Sequence, residues 1–151
     1  MSRTADADDA VGTSMDERDI ARLRVAIARL ARRLRTNSGG GITPSQLSVL
    51  FTVEARGPLT PGELAEREGV RPPTITRSVA SLVDEGLLTR RPGHDRRTSL
   101  VEVTAHGRQT LADIRERRDA WLSERLAKLS EEELAAVCAA LPVLEQLLRD
   151  D

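Results

Sequence analysis

The side chains best placed for chemistry lie between Arg71 and Val103, and the chemistry they suit is hydrogen bonding rather than bond breaking. Thr74, Thr76, Arg77 and Ser81, with Pro73 beside them, share one side of a predicted helix. Ile75, Val79, Leu82 and Val83 recur at helical spacing on the other side and leave Arg77 pointing straight out. A guanidinium presents parallel N–H donors that match the O6 and N7 acceptors of guanine, and Ser or Thr hydroxyls serve several base edges and phosphates. Such a face fits the major groove of a duplex. Taken alone, it is more simply the solvated side of a core helix.

The neighbouring elements change that balance. Pro72 and Pro73 suit a first helical turn, which needs no backbone N–H, and Gly86 supplies a left-handed stop. Upstream, Thr60 and Glu63 form a capping box with Pro61 at the first helical position, and Gly69 ends a short helix with Leu64 and Ala65 inward. Two helices joined by a short Gly-containing turn make a helix-turn-helix. Downstream, Leu87–Arg91 and Thr98–Val103 are predicted strands, and Pro92–Arg97 is a polar tip between them. Arg96 and Arg97 on that tip, and Arg71 at the helix start, suit backbone or minor-groove contacts, where negative potential is enhanced.

Glu63-Leu64-Ala65, the helix through Val79 to Gly86-Leu87, Asp95-Arg96-Arg97, and Thr104 with Gly107 together resemble the MarR family of winged helix-turn-helix regulators. The resemblance runs from about Asp16 onward. The family's Asp-x-Arg wing motif falls on Asp95 and Arg97. It implies that Asp95 orients the wing and Arg97 meets phosphate or minor groove. The tip itself departs from the pattern: Pro92-Gly93-His94 stands where relatives often carry another acidic residue. The resemblance further implies a homodimeric repressor on a pseudo-palindromic operator, released by a small lipophilic or phenolic effector. The residues of an effector pocket are not legible in the sequence.

At 151 residues the chain fits one domain, or one domain with an added dimerisation layer. The expected fold is mainly α, an α+β winged helix-turn-helix with a two-stranded wing. Phe51 and Trp121 are the only aromatics, so there is no stacking platform for single-stranded nucleic acid. The net charge of −1 argues against a nucleic-acid partner when taken whole, but its distribution argues for one. Residues 71–97 hold six arginines against three carboxylates, whereas residues 130–151 hold six carboxylates against Arg149.

Residues 1–15 read as a mobile acidic tail, 16–36 and 104–151 as dimerisation helices, and 43–103 as the duplex-reading module. In the first helix Ile20, Leu23, Ile27, Leu30 and Leu34 form a narrow apolar seam, and seven arginines between 18 and 35 occupy the rest. That cationic face is either solvated or set against duplex flanks or an acidic surface of a second subunit. Thr43 and Gln46 make a capping box for a helix with Leu47, Leu50 and Phe51 inward. Thr104 starts a long helix to about Leu129, and Ser130 with Glu133 caps a last one carrying Leu134, Val137, Cys138, Leu141, Leu144 and Leu148, with a kink expected at Pro142. These terminal helices hold more apolar surface than one winged module can cover, so a two-fold dimer is expected, its readers about one turn apart, ~34 Å.

Catalysis is not expected. His94 and His106 sit in no metal-ligand cluster, no nucleophile elbow or triad order is present, and the glycines match no phosphate-binding loop. No metal and no cofactor are expected. Cys138, the only cysteine, reads as a small buried hydrophobe. An acidic N-terminus without an apolar run leads to the expectation of a cytoplasmic protein with no membrane partner. The rival reading is a helical protein–protein adaptor whose winged fold does not bind DNA.

Overall fold

The structure is a computed structural model that describes residues 14–37, 41–93, 95 and 98–149. The chain divides into two compact units, 1–33 and 34–151. The division falls inside the first helix.

Most of the first unit's described part is helix α1, Glu17–Thr36. Asp16 starts it, its carboxylate accepting the Asp19 N–H at 2.7 Å. Ile20, Leu23, Val25, Ile27 and Leu30 are all exposed.

The second unit runs α2 (Pro44–Arg56), α3 (Pro61–Glu68), α4 (Pro72–Asp84), β1 (Leu88–Pro92), β2 (Ser99–Val103), α5 (Ala105–Leu126) and α6 (Glu131–Gln146). The capping boxes at Thr43/Gln46, Thr60/Glu63 and Ser130/Glu133 all form, and the Thr104 hydroxyl accepts from the Gly107 N–H. Gly69 and Gly86 both adopt positive φ, as a left-handed helix stop requires.

Four helices share one core. Leu50 of α2, Leu64 of α3, Ile75, Val79 and Leu82 of α4, and Leu111 and Ile114 of α5 are fully buried together with Leu88 and Val101 of the strands. Burying each of these side chains contributes about 1.5–3 kcal/mol, so the three from α4 set the roll of that helix. Phe51, expected inward, is only partly buried at the edge of the cluster.

The wing is an antiparallel pair with Leu88 opposite Val103, Arg90 opposite Val101 and Pro92 opposite Ser99. It starts one residue later than expected because Leu87 belongs to the helix stop: its N–H goes to the Leu82 carbonyl and its own carbonyl accepts from Thr104 N. A bridge between Leu59 and Val101 adds a short third rung that local patterning did not reveal.

α5 ends at Leu126 rather than near Leu129, since the Leu129 N–H closes a tight turn onto the Leu126 carbonyl before the Ser130 cap. α6 continues through Pro142. Cys138 is exposed, not buried as expected. Its apolar neighbours Leu134, Val137, Leu141 and Leu144 are exposed with it, uncovered by any described residue of the second unit.

Candidate nucleic-acid interface

The core side of α4 is locked by Ile75, Val79 and Leu82, which leaves its opposite side in solvent. Pro73, Thr74, Thr76 and Arg77 are exposed there. Arg77 has neither a hydrogen bond nor an ion pair among the described residues, so its guanidinium is available to an external acceptor. The Thr76 hydroxyl donates to the Pro72 carbonyl at 3.0 Å. Arg71 is the N-cap residue in extended conformation. Its side chain makes no capping bond, and its carbonyl accepts the Thr74 N–H at 2.9 Å. Four of the residues on the expected reading face and the cation at its start therefore sit together.

Ser81 is placed differently. It is half-buried, donates to Glu85 Oε1 at 2.9 Å and accepts from Gln46 Nε2 at 2.9 Å. Its hydroxyl is engaged toward α2 rather than turned outward. In the sequence Gln46 is legible only as a capping residue, and nothing there singles out Glu85. Their link spans 35 and 39 positions, and no local pattern signals it.

At the wing, the Asp95 carbonyl accepts both the Thr98 N–H at 2.9 Å and the Thr98 hydroxyl at 2.8 Å, while the Gly93 N–H reaches the Thr98 carbonyl at 2.8 Å. A Cβ on Gly93 would run into the Thr98 hydroxyl, which accounts for glycine at the mouth of the tip. Asp95 itself is exposed. His94, Arg96 and Arg97 lie outside the described residues. On the strands, Arg91 pairs with Glu102 at 2.6 Å, and Arg90 is exposed.

The scaffold behind the reader is held by carboxylates that join one helix to another. Glu68 at the end of α3 accepts from Ser48 at 2.6 Å and Thr52 at 2.5 Å, fastening α3 to α2. Arg115 of α5 pairs with Glu54 of α2, and this carboxylate raises its pKa above the ordinary arginine value. Arg115 and Arg118 both lie over the Phe51 ring, at 5.2 and 5.7 Å. Burial lowers the Arg118 pKa, with Arg35 adding to it. Among the described residues no group of His, Cys, Asp and Glu could hold a metal ion, and no helix is long and apolar enough to cross a membrane.

A sequence model of the MarR family matches residues 40–98, from just before α2 to the end of the wing tip. A helix-turn-helix-type transcriptional regulator of Mycobacterium bovis is 44% identical over 120 residues, spanning 78% of this chain and 84% of that protein. The transcriptional repressor MdtR of Bacillus subtilis is 30% identical over 112 residues, 74% of this chain and 72% of its own length. A solved Pseudomonas aeruginosa protein described as a transcriptional regulator superposes with a TM-score of 0.78 at 33% identity, covering 89% of this chain and 99% of that one.

Proposed function

The chain belongs to the MarR family of transcriptional regulators, and on that premise we propose that two copies of it read a pseudo-palindromic DNA operator through paired α4 helices. Arg77 reads a base edge in the major groove, with Thr74 and Thr76 at neighbouring bases or phosphates and Pro73 against them. Arg71 meets the backbone at the start of the helix. Arg96 and Arg97 reach the backbone or the adjacent minor groove, with Asp95 orienting the wing. The observation that carries this reading is Arg77, exposed and unpaired among the described residues on a helix whose other side is fixed in the core.

Pairing of two chains is supported by the apolar residues that the single chain leaves uncovered. They lie on α1 (Ile20, Leu23, Ile27, Leu30) and on α6 (Leu134, Val137, Leu141, Leu144). Exposed stripes of that extent mark an interface. Helices 16–36 and 104–151 then form the dimerisation layer and 43–103 the reading module. Repression fits the name of the MdtR relative, and its relief by a small lipophilic or phenolic effector fits the family resemblance alone.

The test is selection of bound fragments from a random duplex pool by the purified protein. Enrichment of an inverted repeat, with affinity falling steeply as salt rises, is expected. Retention of no duplex at low salt would overturn the reading.

A further inference from the structure

We propose that Gln46 is a positioning residue for duplex reading: its one amide group ties the start of α2 to the end of α4 and so sets how the reading face is presented. The inference rests on the reading function given above.

Both ends of the amide are used. Gln46 Oε1 accepts the Thr43 N–H at 2.8 Å, completing the α2 cap. Gln46 Nε2 donates to Ser81 Oγ at 2.9 Å and approaches Glu85 Oε1 at 3.4 Å. Ser81 in turn donates to Glu85 Oε1 at 2.9 Å. An amide is planar, so the acceptor end that holds the cap also orients the donor end toward α4.

The position of Glu85 shows that helix stability alone is not what this cluster serves. It is the C-cap residue of α4, where the helix dipole disfavours a carboxylate. There is no basic residue in the last turn of α4, and no side chain caps its first turn. Gln46 and Ser81 both donate to that misplaced carboxylate and convert it into a tether. The core sets the roll of α4, and the tether fixes its far end against α2. A helix lying in a groove must hold both to keep its side chains in register with base edges.

The cap and the tether can be separated. Gln46→Glu keeps a capping acceptor, because Glu serves a capping box as well as Gln, but replaces the donor with a second carboxylate facing Glu85. Adding Glu85→Gln restores a donor–acceptor pair with reversed polarity. That double variant carries the wild-type net charge, so its general attraction to DNA is unaltered.

The experiment measures affinity for a fragment selected by the wild type and for random duplex, alongside the melting temperature. For Q46E the ratio of selected to random affinity should fall about tenfold, with little change in melting. For Q46E/E85Q most of that ratio should return. A wild-type ratio in Q46E, or a double variant no better than Q46E, overturns the proposal. If Q46E melts below the assay temperature, Ser81→Ala takes its place: the ratio must fall, and an unchanged ratio overturns the tether. Failure of the wild type itself to distinguish any duplex sinks the reading function and the tether with it. Selection retained by wild type and variants alike sinks the tether alone.

Discussion

Gly107, in the first turn of α5, passes so close to the carbonyl of Leu87 that a methyl group there has no room. A Cβ would overlap that carbonyl and stand 2.8 Å from the Val103 side chain. The same carbonyl accepts from Thr104, at 3.1 Å from its N–H and 3.2 Å from its hydroxyl. This knot joins the end of the reading helix, the base of the wing and the start of α5. Gly107→Ala must move backbone, so it should cost about 1–3 kcal/mol, read as a lower urea midpoint with an unchanged slope. A midpoint equal to wild type would show that the contact relaxes freely.

Arg77→Ala should weaken operator binding by ~1–3 kcal/mol and relax the preference at one base position in each half-site. Folding should be unaffected, since the side chain is exposed. Gel shifts on the selected fragment and on its single-base variants measure both effects. Equal affinity for the wild type and the variant would remove Arg77 from the reading face.

Arg97→Ala should behave differently. A wing arginine on phosphate carries no base information, so all duplexes should weaken alike, and the slope of log affinity against log salt should shrink by about 1. Loss confined to one sequence would instead mark Arg97 as a base reader.

Sedimentation of the wild-type protein should give about twice the chain mass of 16.5 kDa. Leu141→Asp should shift it to the single-chain mass. Leu141 is 50% exposed in the lone chain, so a carboxylate there is solvated until a partner helix removes the water. A wild type that sediments as one chain would sink the pairing.

The Thr60 cap gives stability a predictable pH dependence. The Thr60 backbone N–H and hydroxyl both bond the Glu63 carboxylate, at 2.8 Å each, and lower its pKa below the ordinary carboxylate value. A group depressed in the folded state stabilises fully above its unfolded pKa. That contribution is lost as pH falls through the folded value. Glu63→Gln removes the ionisation and keeps a capping side chain. Denaturation midpoints of the two proteins should therefore differ near neutrality and converge in acid. A constant difference across that range would contradict the sign.

What could be read along the chain is what is decided within a few residues. Capping boxes join positions three apart, so Thr43/Gln46, Thr60/Glu63 and Ser130/Glu133 were visible as spellings. The stripe of Ile75, Val79 and Leu82 repeats every helical turn, so the exposure of Arg77 followed from spacing alone. The left-handed stops at Gly69 and Gly86 followed in the same way.

Contacts between distant segments had no such signature. The Leu59–Val101 rung, the tether from Gln46 to Ser81 and Glu85, the Glu54–Arg115 pair and the fit of Gly107 under Leu87 join residues that only folding brings together. Cys138 shows the same boundary from the other side. Its apolar stripe was plain in the sequence, but a stripe says only that a face avoids water, and the single chain leaves this one exposed. Local periodicity thus determined which helices form and which way α4 faces. Tertiary packing decided how α4 is held, because that depends on donors and acceptors supplied from elsewhere in the chain.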